Sequence, residues 1–259
     1  MTTYEERYFY PGTQTLINNF DIKDPRLLRE AETELTADLF RTPFHFDYRT
    51  TDGLKQAHKE VFGVLYPWAG EFRAENITKV EQGPREDVHF LDGPRVASAM
   101  TTFCSSLSQD LSSGAFSGLD QKTFAYRASV YLADLNHLHP FPDGNGRIQR
   151  LFLSELAQDS GYQIDQTKFT RDAWIDGSIS SRENALYNIK DQLVGLTDDA
   201  AMPALISKSM SRLERTQVQE RTSPTARLES SVEEARERYS DMLAKQMRPG
   251  RDRGRDQDD

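Results

Sequence analysis

Residues 139 to 150 read His-Pro-Phe-Pro-Asp-Gly-Asn-Gly-Arg-Ile-Gln-Arg, and their types describe a chemistry before any fold is considered. Gly144 and Gly146 carry no Cβ, so the backbone can turn sharply and bring its N–H groups against a ligand. At the start of a helix such groups form an anion nest, assisted by the helix dipole, and the ligand that suits it is a chain of phosphates. Arg147 and Arg150 lie three apart on one helical face, so both guanidinium groups can reach oxygens of the same chain. Asp143 is the one carboxylate in this loop, which makes sense if Mg2+ bridges it to the phosphates. A neutral histidine, whose ordinary pKa is about 6.5, can take a proton from an attacking hydroxyl, and His139 opens the stretch.

Taken singly, each position has a structural explanation. A histidine before proline caps a helix, glycines mark turns, and arginines on a helix form a solvated face. A base, an acid, a glycine nest and two spaced arginines in one short loop exceed what structural need produces, so the functional reading is preferred. Two rivals use the same residues. A metallohydrolase would bind Zn2+ through His137, His139 and Asp143, but that leaves both glycines and both arginines without a role. A non-catalytic binding module working through its tail is opposed by the completeness of the set.

Two helices must hold this loop. Gln121 to Leu138 carries Phe124, Ala128, Tyr131, Leu132 and Leu135 on one face and breaks at His139-Pro140. Asn145 to Asp159 carries Ile148, Leu151, Phe152, Leu156 and Ala157, with Gly161 as a C-terminal stop. Upstream, Leu54, Ala57, Val61, Phe62 and Leu65 predict a helix from Asp52 that ends before Pro67. Ile77 to Val80 and Asp87 to Leu91, around the breaker Gly83-Pro84, predict a β-hairpin, and Arg95 to Leu111 another helix. A further helix is predicted over Ser181 to Leu193. From Asp198 charged residues dominate and aromatics almost vanish. Ser223-Pro224 offers a cap and first turn for a helix striped by Leu228, Val232, Ala235, Tyr239 and Leu243, either docked on its own domain or forming a short coiled coil. Arg248 to Asp259 has the composition of a disordered end.

Composition narrows the setting. At 259 residues the chain suits one domain plus an appendage, and no apolar run approaches the about 18 residues that span a bilayer, so no membrane partner is expected. Glu5, Glu6 and Arg7 stand where a secretory signal would be apolar. Cys104 is the sole cysteine, which excludes an intrachain disulfide and suits a reducing compartment. A net charge of −9 argues against nucleic acid as a direct partner.

The loop resembles the motif of the Fic family, His-Pro-Phe-x-(Asp/Glu)-Gly-Asn-Gly-Arg-x-x-Arg, at every fixed position. Tyr10-Pro11-Gly12-Thr13 with Leu16 resembles the start of the bacterial toxin-type Fic domains. His58 to Arg73, ending Tyr66-Pro67-Trp68-Ala69-Gly70-Glu71-Phe72-Arg73, resembles the segment before the family's flap, so the likeness covers about residues 8 to 196. It implies a mainly α fold: a Fic helical bundle with a small β-hairpin flap, carrying a C-terminal helical extension. Residues 1–197 would form the Fic domain with an N-terminal extension, 198–247 the helical extension and 248–259 a disordered tail.

The resemblance further implies a protein adenylyltransferase that moves AMP from ATP, with Mg2+, to a Ser, Thr or Tyr hydroxyl of a target protein. His139 would be the base, Asp143 the Mg2+ ligand, Gly144, Asn145 and Gly146 the phosphate nest, and Arg147 and Arg150 the clamps. Thr78, Lys79, Val88, His89 and Phe90 would form the flap that pairs with the target's backbone. The related Doc kinases carry a lysine where Gly146 stands and transfer a γ-phosphate, so Gly146 favours attack at the α-phosphate. Other members transfer UMP or phosphocholine, and the loop alone does not name the nucleotide's base; ATP is favoured by frequency.

Many Fic enzymes are held off by a helix bearing Ser/Thr-x-x-x-Glu-Gly/Asn, whose glutamate pairs with the second motif arginine, Arg150 here. In this chain the glutamates followed by Gly or Asn are Glu75 and Glu183, and four residues before them stand Glu71 and Ile179, so the motif is absent. The resemblance then implies the class I arrangement, in which a small separate antitoxin supplies that helix. The setting implied is a bacterial cytoplasm, or another cell into which the chain is translocated. Type II topoisomerase subunits and host GTPases are the targets implied.

Overall fold

The computed structural model describes residues 3–37, 45–79, 88–170, 172–178 and 201–213. Along the chain run α1 (Tyr4–Tyr8), α2 (Pro25–Ala37), α3 (Thr51–Phe62), β1 (Thr78–Lys79), β2 (Val88–His89), α4 (Val96–Ser112), α5 (Gln121–Leu138), α6 (Asn145–Asp159) and β3 (Tyr162–Ile164). A short helix α7 over 172–178, then α8 (Ala201–Ser209) and β4 (Met210–Arg212), complete the described elements. The fold is mainly helical, as the periodicities predict.

α5 is the central element, packing against α4, α6 and α8. Asp120 caps its start by accepting from the Thr123 amide, and Phe124, Ala128, Leu132 and Leu135 of its predicted face are buried. α6 buries Ile148, Leu151, Phe152, Leu156 and Ala157 in the same core, and Gly161, at φ +81°, turns the chain out of it. α3 ends four residues before Tyr66: the amides of Leu65 and Tyr66 fold back onto the Phe62 carbonyl at 2.9 and 2.8 Å, so Leu65 is buried from a turn and not from a helix.

At its base the hairpin pairs over fewer residues than its pattern suggests. β1 and β2 pair antiparallel with Thr78 opposite His89 and Lys79 opposite Val88, and the expected Gly83-Pro84 tip lies outside the described residues. Below those pairs the ladder stops because the backbone is engaged elsewhere: the Leu91 N–H donates to the His137 carbonyl at 3.1 Å, and the Gly93 N–H to Asn76 Oδ1 at 2.8 Å.

Three features were not read from the pattern. α1 carries a complete capping box between Thr3 and Glu6. Asp24 caps α2, its Oδ1 accepting from the Arg26 and Leu27 amides at 2.7 and 3.2 Å, with Pro25 in the first turn. The third lies at 201–213, residues assigned on composition to the extension: α8 packs on α5, and β4 pairs antiparallel with β3, Gln163 opposite Ser211. Met202 and Ile206 are buried in the common core. The expected boundary at 197/198, the helices over Ser181 to Leu193 and from Ser223, and the tail 248–259 lie outside the described residues. Among the described residues no helix is long and apolar enough to cross a membrane.

Candidate active site

α5 ends at Leu138 and is capped by His139, whose backbone is left-handed at φ 42° and ψ 60°, a conformation that a non-glycine residue before proline adopts only when its surroundings hold it. Helix ends leave carbonyls without intrahelical partners. Here Arg73 satisfies two of the carbonyls at the end of α5 and its cap. Its Nε donates to the His139 carbonyl at 2.7 Å and its Nη2 to the Leu138 carbonyl at 3.0 Å. The ring of His139 is buried and stacks on Phe90, 3.8 Å between centroids and 20° between planes. The predicted base and one predicted flap residue are thus in contact.

The loop that follows is tied down atom by atom. Asn145 Oδ1 accepts from the Phe141 N–H at 3.0 Å, and its Nδ2 donates to the Phe141 carbonyl at 2.8 Å. The Asn145 side chain therefore shapes the loop, and what it offers an anion is its backbone N–H. Tyr4 donates to the Pro142 carbonyl at 2.7 Å, bringing the N-terminal segment onto the loop. His58, fully buried on α3, accepts at Nδ1 from the Gly70 N–H at 3.0 Å. An amide only donates, so the proton sits on Nε2, and that atom donates to the Asp143 carbonyl at 3.0 Å. Burial pushes the His58 imidazole down to about 3, which keeps it neutral, and its ring stacks on Phe141 at 3.9 Å.

Gly144 caps α6 at φ +77°, with the Phe62 ring filling the space a Cβ would need. Gly146 is different: it is helical, and an added Cβ would meet only Trp174 Nε1 at 3.7 Å, an ordinary contact. The amides of Asn145 and Gly146 head the helix, where intrahelical acceptors do not exist, so they are available to an anion laid against the helix terminus. Asp143 is half-exposed at its edge. Mg2+ is commonly held by one or two carboxylates plus substrate phosphates, and a single accessible carboxylate beside a phosphate nest fits that use.

The two arginines have unlike surroundings. Arg147 Nη2 bonds Glu32 Oε1 at 2.5 Å, and its guanidinium lies over the Phe62 ring at 4.5 Å. Glu32 also accepts from the Tyr66 hydroxyl, so α2 supplies an internal carboxylate to the first motif arginine. Arg150 lies over Trp174 at 5.7 Å, and burial, then the Arg147 charge, lower its pKa. Glu32, His58, Arg73 and Trp174 received no role in the sequence reading. Arg73 and His58 stood within the stretch quoted for its likeness, but only the fold brings them to the loop.

The flap residues Thr78, Lys79, Val88 and His89 form the paired backbone beside the loop, and Phe90 reaches His139. The Zn2+ alternative loses its basis. Among the described residues no three His, Cys, Asp or Glu side chains converge to hold a metal, so His137, His139 and Asp143 do not form a ligand set.

Residues 48–157 match the Fic/DOC family. The chain is 32% identical over 188 residues to the Protein adenylyltransferase VbhT of Bartonella schoenbuchensis, covering 70% of this chain and 37% of VbhT, so it spans well under half of that relative. It is 31% identical over 172 residues to the Probable protein adenylyltransferase Fic of Escherichia coli, covering 64% of this chain and 80% of that protein. Among solved structures, the VirB-translocated effector BepC of Bartonella tribocorum, with bound AMPPNP, has the same fold at a TM-score of 0.63 and 24% identity, covering 82% of this chain and 99% of that one.

Proposed function

The chain belongs to the Fic/DOC family, and from that premise we propose that it is a protein adenylyltransferase that takes AMP from ATP and attaches it to a hydroxyl side chain of another protein. The observation that carries this reading is the start of α6. Gly146 sits in the first turn of α6, where glycine costs up to about 1 kcal/mol against alanine, and the packing around it would accept a methyl group. What needs the glycine is a ligand laid against the helix terminus.

The chain's own groups divide the work. The nest and Arg150 seat the polyphosphate, with Arg147 beside it in the pose set by Glu32. His139 takes the proton of the target hydroxyl, whose oxygen attacks the α-phosphorus in line; pyrophosphate leaves and AMP stays on the target. Amides aimed at the α-phosphate stabilise the charge that develops there. Asp143 would hold Mg2+ with the phosphates, and the ion when bound neutralises charge on the leaving pyrophosphate. β1 and β2 offer backbone for an extended segment of the target. The catalytic unit includes residues 201–213, which pack on α5.

The regulation proposed is inhibition in trans by a small antitoxin whose Ser/Thr-x-x-x-Glu-Gly/Asn helix brings a glutamate to Arg150. The targets proposed are type II topoisomerase subunits, or host GTPases if the chain acts after translocation out of the bacterial cytoplasm. Incubation of purified chain with Mg2+ and α-labelled ATP in bacterial lysate should label a protein. His139→Ala should abolish the label while nucleotide affinity, read by calorimetry, stays within about twofold. Undiminished labelling by that variant would remove His139 from its role.

A further inference from the structure

We propose that Arg73 is the positioning residue of the reaction, one buried guanidinium that sets where the base stands relative to the flap. The inference rests on the reading of His139 as that base. Arg73 is 2% exposed, and its donors go to four backbone carbonyls. Two belong to the end of α5: Leu138 at 3.0 Å and His139 itself at 2.7 Å. The other two are the feet of the flap: Glu75 at 2.7 Å where the chain enters, and Leu91 at 2.6 Å where it leaves. The Arg73 N–H adds a fifth bond, to the Pro140 carbonyl at 2.9 Å, on the far side of the base.

This is an unusual use of a charge. Buried arginines ordinarily face a carboxylate, whereas the bonds here run to neutral carbonyls that converge from two separate elements. Burial lowers its pKa to about 10, and the group remains a cation at physiological pH, so each bond is charge-assisted. A guanidinium can serve four acceptors at fixed angles because it is planar and carries five N–H donors; an ammonium is a point with three. The carbonyl it grips most closely on α5 is that of the residue in the left-handed conformation, so the bond holds the turn that aims the His139 ring. The same cation fixes Leu91, next to the Phe90 ring that stacks on His139. Base and flap thus share one register, and a hydroxyl presented along β1 or β2 arrives at a set distance from the imidazole.

The consequence is a separation of effects. Arg73 touches no part of the nest, so loosening it should harm transfer and leave nucleotide binding alone. The test compares Arg73→Lys, which keeps charge and loses the fork, with Arg73→Met, which loses both. Asn76→Ala is the control, since its side chain ties the flap feet through the Gly93 amide without reaching the base. On the full chain, imidazole carbon NMR assigned with His139→Ala reports the base, amide exchange over residues 88–93 reports the flap, and calorimetry with Mg-ATP reports the nest.

Arg73→Lys should move or broaden the His139 resonance, speed exchange at Leu91 at least about tenfold and cut labelling at least about thirtyfold, with Mg-ATP affinity within about twofold. Asn76→Ala should speed exchange at the feet and leave the His139 resonance in place. A folded Arg73→Lys with an unmoved His139 resonance and native exchange overturns the proposal, as does a loss of Mg-ATP affinity parallel to the loss of labelling, which would make Arg73 general scaffold. If Arg73→Met does not fold, the lysine variant decides. Failure of the wild-type chain to label any protein would sink the adenylyltransferase reading, while the resonance and exchange data would still decide on Arg73.

Discussion

The two walls of the site are built on different plans. On the proposed phosphate side, residues 141–145 have their backbone fixed from several directions: Asn145 on Phe141, Tyr4 on Pro142 and His58 on Asp143. On the proposed target side, β1 and β2 contribute two pairs among the described residues, held at the feet by the Asn76–Gly93 bond and by Arg73 on Glu75 and Leu91. A phosphate chain is the same in every turnover, so a site for it gains by losing freedom in advance. A protein segment that must enter and leave is better met by a short edge whose backbone groups remain available. Fixing each wall by its own set of bonds lets nucleotide and target bind by separate rules, and substitutions on each wall test whether those rules are separate.

The hardest blow to the phosphate wall should be Gly144→Ala. The residue sits at φ +77° with Phe62 against it, so a methyl group adds both backbone strain and overpacking, together about 3 to 6 kcal/mol. Expected are a large fall in the thermal midpoint and no calorimetric signal with Mg-ATP. Native stability in this variant would mean that the loop has a second conformation.

His58 comes next, because it joins α3 to the loop through both ring nitrogens. Its neutral state also gives stability a pH slope. The folded value of about 3 lies below the ordinary 6.5, so between those values the unfolded chain binds the extra proton. Stability should therefore be full above pH 6.5 and decline as pH falls toward 3, by about 4 to 5 kcal/mol from this residue. His58→Gln can still donate to the Asp143 carbonyl and should flatten that slope in urea titrations while weakening Mg-ATP binding only a few-fold. His58→Phe keeps the stack on Phe141 but orphans two half-buried backbone groups, costing about 1 to 3 kcal/mol. A wild-type slope in His58→Gln would assign the acid sensitivity to other groups.

Smaller again is Glu32→Gln. The pair with Arg147 is half-buried, side chains 16% and 19% exposed, and losing one charge should cost about 1 to 2 kcal/mol after solvent screening. If Glu32 holds Arg147 where the phosphates need it, Mg-ATP affinity falls about fivefold; if it competes with them, affinity rises. Calorimetry on the single variant separates the two.

What could be read in advance follows the same division. The loop and its two helices were legible because everything that specifies them is local: an apolar stripe of helical period, a proline break, a glycine stop. The residues that hold the loop were not, since His58 lies 85 positions from Asp143 and Arg73 lies 66 from His139, and no spacing rule spans such gaps. The base of the flap ladder was overestimated because alternation cannot show that the Leu91 N–H goes to α5. Composition counted over a long window could not show that Met202, Ile206 and Met210 of residues 201–213 are buried in the common core.

The finest test sets the two glycines of the nest against each other, one substitution at each. Gly144 is required by the fold itself, whereas Gly146 has helical dihedrals and room for a Cβ, its nearest outside atom being Trp174 Nε1 at 3.7 Å. Alanine is a better helix former than glycine, so Gly146→Ala should raise stability by up to about 1 kcal/mol, seen as a small rise in the urea midpoint with an unchanged slope. The same methyl group stands at the head of α6, where the phosphates would lie against bare backbone, so Mg-ATP affinity should fall about tenfold even as the protein becomes more stable. That opposite movement is what distinguishes a glycine kept for a ligand from one kept for a turn. If affinity is unchanged, the polyphosphate does not pass over Gly146, and the nest must be redrawn around Gly144 and Asn145 alone.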